Sequence, residues 1–242
     1  MPKKAPPHPT PPPLPDTLLT PLTLSELTAL YSAPDRHYHS LTHITTLLSL
    51  LHTHLRLFTD PPAIEAAIWF HDAIYGTHSP PSQNELRSAA LAVSSLRDIV
   101  DADRLERIKV MIEATASHTV PTLSELRTAD KGHVEDAKMF LDMDLSILAA
   151  DEAEYREYER GVREEYKWVK EKEWEEGRGK VLRGFLERER IYVSKAFSGL
   201  WEGRARGNLV VSLRGLEGTG EEKGGVLERG WRWIRGGGQQ RS

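Results

Sequence analysis

From about residue 40 to residue 200, apolar side chains return with the period of an α-helix, and no stretch alternates with period two. Ile44, Leu47, Leu48, Leu51 and Leu55 fall at i, i+3, i+4, i+7 and i+11, which is one helical face. Ile64, Ala67, Ile68 and His71 repeat the pattern behind Pro61-Pro62, a proline pair suited to a first helical turn. Leu86, Ala89, Ala90, Val93 and Leu96 predict a third helix. Leu105, Ile108 and Ile112 predict a fourth, stopped before Pro121. Val134, Ala137, Phe140 and Leu141 lead a fifth into the Asp144 region. Residues 151–175 read as one long charged helix with Tyr155, Tyr158, Val162, Tyr166 and Val169 as its buried stripe, and a last helix is expected over roughly 180–200. No repeat of fixed length is visible. The expectation is an all-α fold.

The two ends differ from this interior. Residues 1–15 are dominated by proline, which lacks the donor a helix or sheet ladder needs, so a disordered or polyproline-like tail is expected there. Residues 203–242 hold 11 of the 18 glycines, which argues against a long regular element. The predicted organisation is therefore a helical domain over 16–209 between a Pro-rich tail and a Gly/Arg-rich tail over 210–242. A net charge of −4 gives no global reason to expect nucleic-acid binding. The absence of cysteine excludes disulfides, cysteine-zinc sites and thiol nucleophiles. No apolar run approaches the ~20 residues that span a bilayer. Lys3-Lys4 runs into prolines rather than an apolar segment, unlike a secretory signal, and a cytoplasmic protein is the expectation.

Three polar groups interrupt the helical pattern. His39 and His43 are spaced i, i+4, so if both are helical they share a face. His71-Asp72 closes the apolar run Ala66-Ala67-Ile68-Trp69-Phe70, where a carboxylate without a cation would be costly to bury. Asp142 and Asp144 lie far downstream at i, i+2, pointing to nearly opposite sides, and spacing does not choose between them. Imidazoles and carboxylates from separate helices are what an all-helical protein needs to hold a divalent metal, and that combination is foremost hydrolytic. His52 and His54 are expected at the surface.

These residues resemble the HD superfamily of metal-dependent phosphohydrolases, named for the His-Asp doublet, and within it a little-characterised branch of predicted phosphohydrolases. The resemblance is carried by Arg36-His37-Tyr38-His39-Ser40, Trp69-Phe70-His71-Asp72, Asn84-Glu85-Leu86-Arg87-Ser88-Ala89 and Leu141-Asp142-Met143-Asp144-Leu145-Ser146. It continues through Tyr158, Arg163, Tyr166, Arg190-Ile191-Tyr192 and Ala205-Arg206-Gly207-Asn208-Leu209, covering about residues 30–209. Ser40, Met143 and Ala149 depart from the branch's usual residues beside the motifs. The resemblance implies an HD-type helical bundle with an additional C-terminal helical region. It also implies His43, His71, Asp72 and Asp144 as ligands of a divalent metal (Mn, Mg, Zn, Co or Fe).

The same resemblance implies hydrolysis of a phosphate ester or anhydride on a small substrate, with nucleotides the family-level guess and neither nucleic acid nor membrane as partner. By similarity to cyclic-nucleotide phosphodiesterases, His39 would protonate the leaving oxygen. Glu85 would orient water or a histidine. Arg36 and Arg163 are candidates for the substrate phosphate, because guanidinium forks match phosphate oxygens. His118 is a further substrate-side candidate, and together with His133 it would complete a second metal site. Two rival readings stand beside this one: an HD-type di-iron oxygenase, which would need those two extra histidines, and a non-catalytic metal- or ligand-binding module.

Overall fold

In the computed structural model, which describes residues 9–217, every regular element is helical. The chain divides into two compact units, one ending at Asp144 and the other beginning at Leu145. This boundary falls inside residues 16–209, which the sequence predicts as one helical domain.

Among its described residues the first unit contains six α-helices: α1 (Pro21–Tyr31), α2 (Leu41–Thr53), α3 (Pro61–Phe70), α4 (Gln83–Leu96), α5 (Ala102–Ala114) and α6 (Lys131–Asp144). Their starts follow capping chemistry. The side chains of Thr20, Asp60 and Asp101 accept the backbone N–H three residues on, and Pro21 and Pro61 occupy first-turn positions that need no donor. Helix α3 is buried on all sides, Pro62 through Phe70 included, so it forms the centre against which α2, α4, α5 and α6 pack. The predicted face of α2 holds for Ile44, Leu47, Leu48 and Leu51, all buried, whereas Leu55 lies half-buried beyond the helix, in a 3₁₀ turn. The predicted face of α4 is rotated, with Ser88, Ala89, Ala92 and Leu96 inward and Leu86 and Ala90 outward.

Helix α1 was not anticipated. Its signals were present in Thr20-Pro21 and in the Leu24, Leu27, Tyr31 spacing, but they lie beside the Pro-rich tail. The described part of that tail is seated rather than free. Leu14 is 4% exposed and donates its backbone N–H to Oε1 of buried Glu65 at 2.8 Å, and Thr10 pairs with Thr45 at 3.0 Å. Prolines thus leave enough unblocked N–H groups for an extended segment to be held by side chains.

Among its described residues the second unit has a 3₁₀ segment (Leu145–Ala149) and three helices, α7 (Glu152–Glu165), α8 (Glu171–Glu187) and α9 (Ser198–Glu217). The single helix expected over 151–175 is broken at Tyr166–Lys170. Arg163 holds the break by donating to the carbonyls of Tyr166 (2.9 Å) and Val169 (3.3 Å). The helix expected near 180–200 is two, separated by residues 188–197. The start of the Gly-rich region is helical after all: Gly203, Gly207 and Gly215 lie inside α9, because Ala205, Leu209 and Leu213 on the opposite face are buried with Tyr155, Leu182, Ile191 and Tyr192. Tertiary burial outweighs a helix propensity penalty of about 1 kcal/mol per glycine. The remainder of that tail, with Trp231 and Trp233, lies outside the described residues.

Candidate metal centre

Three elements of the first unit converge on one point. His43 sits in the first turn of α2, His71 follows the last residue of α3, and Asp144 ends α6. Nε2 of His43 lies 3.2 Å from Nε2 of His71 and 3.2 Å from Oδ1 of Asp144, and His71 Nε2 is 3.4 Å from the same oxygen. Asp72 adds a second carboxylate, its Oδ2 3.2 Å from His71 Nε2. His118 reaches the other oxygen of Asp144, Nε2 to Oδ2, at 3.0 Å.

The backbone explains why these groups meet. His71 continues α3 with its N–H on Ala67 O, and its Nδ1 donates to Ile68 O at 2.8 Å. A carbonyl only accepts, so the proton of neutral His71 is on Nδ1 and the Nε2 lone pair faces the cluster. Tyr38 Oη stands 3.3 Å from His43 Nδ1. The turn after the doublet is pinned from α4. Ser88 Oγ bonds both N (3.0 Å) and O (3.3 Å) of Ile74, and Asn84 bonds both N and O of Gly76 at 3.2 Å. His118 is carried on a reversal after α5, with its N–H on Ala114 O and φ of 52°. A left-handed conformation is strained for histidine, and such strain is kept where the surroundings fix the side chain.

The electrostatics call for positive charge. Burial opposes ionisation of His71, yet the carboxylates of Asp72 and Asp144 outweigh it and hold the imidazole pKa well above the ordinary value. Burial likewise pushes Asp144 upward. The charge of His71 and hydrogen bonds from His118, His43 and His71 reverse this and keep it ionised. Asp72 is held below the usual carboxylate range in the same way, burial being overcome by His71. Two carboxylates and inward-facing imidazole nitrogens form a donor set that suits a divalent ion. The spacing fits as well: donors about 2.1 Å from one ion sit about 3.0–3.4 Å from each other. His43, His71 and Asp144 are thus a group that could hold a metal ion. Asp72 touches His71 but is not one of these three, and of Asp142 and Asp144 it is Asp144 that belongs to the group. His43 and His71 are buried, whereas the side chains of Asp72, Asp144 and His118 are 15%, 13% and 16% exposed, so approach is from their side.

The other candidates fall differently. His39 is near the cluster, its ring 6.4 Å from that of His43, but it is not helical: Ser40 is extended and caps α2, leaving His39 in the preceding turn, stacked on Tyr75 at 4.2 Å. Arg36 directs its guanidinium to the carbonyls of His39, Asp72 and Ala73. Glu85 is half-buried in the first turn of α4 and is not among the converging groups. His133 is in the first turn of α6, eleven residues and roughly 16 Å before Asp144, with Nδ1 on Thr128 Oγ1 at 2.9 Å. It does not join His118 in a second site. Arg163 belongs to the second unit, committed to Tyr166, Val169, Glu171 and the ring of Trp174. Tyr75, Asn84 and Ser88 support the site without being predicted to, although Asn84 and Ser88 belong to the Asn84-Glu85-Leu86-Arg87-Ser88-Ala89 motif.

No family model, no curated protein and no solved structure matches the chain. Fold and site together define an all-helical protein with a His/His/Asp group suited to a metal ion. Among the described residues no helix is long and apolar enough to cross a membrane.

Proposed function

We propose that the protein is a metal-dependent phosphohydrolase of the HD type, acting on a small phosphorylated substrate, with nucleotides the first class to try, in the cytoplasm. The observation that carries this reading is the meeting of His43, His71-Asp72 and Asp144 at 3.2–3.4 Å, in the chain order that the HD resemblance implies. His43, His71 and Asp144, with Asp72 beside His71, would hold a divalent cation, which supplies Lewis-acid activation of water and offsets charge on phosphate oxygens. Asp72 and Asp144 stay ionised to keep the donors in place. His39, in the turn beside the cluster, delivers a proton to the departing oxygen. His118 fixes the orientation of Asp144 from the partly open side. The rival di-iron reading loses the ligand it needed in His133, whose ring is held by Thr128.

The test is a phosphatase screen of the full chain, loaded in turn with Mn, Mg, Zn, Co and Fe, across nucleotides, cyclic nucleotides and sugar phosphates. Metal-dependent release of phosphate from any class supports the reading. No release with any metal, from protein shown to bind one, leaves a binding module.

A further inference from the structure

Arg36 stands in the turn between α1 and α2 and reaches two separate chain segments. Nη1 donates to His39 O at 3.0 Å and to Asp72 O at 2.7 Å, and Nη2 donates to Ala73 O at 2.7 Å. The last two carbonyls lie just beyond the C-terminal end of α3, where a cation is favoured. The guanidinium carbon is 4.9 Å from the ring centre of Tyr31 and 5.6 Å from that of Tyr75. Tyr31 is itself buried and donates its hydroxyl to Trp69 O at 3.1 Å. Tyr75 in turn stacks on His39, with the ring planes 27° apart.

We infer that Arg36 is a positioning residue: it ties the turn bearing His39 to the turn bearing Asp72, so that the candidate proton donor and the candidate metal-binding doublet are held as one body. Both hydrogens of Nη1 and one of Nη2 are spent on carbonyls, which argues against the phosphate-binding role expected from sequence. Lysine could not replace it, because one ammonium cannot reach three carbonyls in a plane and also lie against two aromatic rings. The neighbouring supports act in the same sense. Asn84 and Ser88 fix residues 74–76, which sets Tyr75, which sets the plane of His39.

The catalytic consequence rests on the proposed phosphohydrolase reading; the clamp itself does not, and the experiment separates them. The full chain is prepared as wild type, Arg36→Lys, Arg36→Met, His39→Ala and Arg36→Met/His39→Ala, and is compared by metal content, by proton NMR of the His39 ring and by turnover. Both Arg36 variants are expected to keep their metal while the His39 ring signals lose the upfield displacement imposed by Tyr75. On an ester with a poor leaving group, turnover falls on the order of 10- to 100-fold, the scale of a small misplacement. It falls less on a nitrophenyl ester, and the double variant is no slower than His39→Ala. Unmoved His39 signals, full retention by Arg36→Lys, loss of metal, or multiplicative losses in the double variant would each overturn the inference. Should the Arg36 variants not fold, the wild type carries the test: clamped Nη protons give separate, slowly exchanging signals, and a freely averaging guanidinium contradicts the clamp. If no substrate is turned over, the NMR results still decide it.

Discussion

Asp144 is the residue through which the cluster is joined: one oxygen faces His43 and His71, the other faces His118. On this arrangement His118→Ala should leave the fold intact and weaken metal binding by roughly 10- to 100-fold, the usual effect of losing a group that orients a ligand. Titration of the chelated protein with zinc reads this out, and an unchanged affinity would remove His118 from the site. His39 and His43 should separate cleanly. His39→Ala keeps its metal and loses roughly 10²–10⁴-fold in turnover on a substrate with a poor leaving group, while His43→Ala loses the metal. Metal loss in His39→Ala would make that residue a ligand. At this scale chemistry and order in the sequence single out His43, His71-Asp72 and Asp144, and the fold brings them together. Arg36 and Arg163 instead direct their guanidinium groups to backbone carbonyls. A guanidinium suited to phosphate is equally suited to backbone carbonyls, and nothing in the residue type distinguishes them.

Helix α9 poses the clearest problem among the elements, because Gly199, Gly203, Gly207 and Gly215 lie at multiples of four along it and an added Cβ at any of them meets nothing within 4 Å. Gly203→Ala and Gly207→Ala should therefore each stabilise the protein by about 1 kcal/mol in denaturant titrations. Destabilisation would mean that this face packs against something. Gly132→Ala should do the reverse, since its Cβ would collide with Thr59 Oγ1. Ahead of α3, Asp136 accepts the N–H groups of Thr59 and Asp60, both at 2.8 Å, yet burial raises its pKa above the ordinary 3.8. A carboxyl raised in the folded state contributes stability that is complete below its unfolded pKa and is lost as pH rises through the folded value. Asp136→Asn should thus flatten the decline in stability above pH 4 while lowering stability overall, as its amide cannot accept both bonds. An unaltered pH profile would show that Asp136 is not strained by burial. Helices α2 to α6 were legible from periodicity, whereas α1, beside the Pro-rich tail, was not. Beyond α6, the break at Tyr166–Lys170 carries no proline or glycine, only the Arg163 bonds. The Ile191-Tyr192 and Arg206-Gly207-Asn208 motifs prove to be fasteners: Glu202 accepts the N–H groups of Ile191 and Tyr192, and Asn208 Nδ2 donates to the carbonyls of Leu148 and Ala150.

For the whole molecule, every group of the candidate centre comes from residues up to Asp144, so metal binding and the stability of that unit should be linked. The all-helical class was readable because one period ran through the chain unopposed. The division after Asp144 was not, since Asp144 and Leu145 belong to one continuous motif and no linker composition separates them. Seating of Leu14 was equally hidden, because it depends on Glu65, far along the chain. The proposed function requires that His43, His71, Asp72 and Asp144 hold a metal on which phosphate hydrolysis depends. Its most direct test is phosphate release from the best substrate of the screen, measured before chelation, after chelation and after metal return, in wild type and in Asp144→Ala, with bound metal quantified in each sample. Wild-type activity is expected to disappear with the metal and to return with it, and Asp144→Ala is expected neither to retain metal nor to recover. Hydrolysis that persists in the chelated protein, or in Asp144→Ala, would contradict the proposed function.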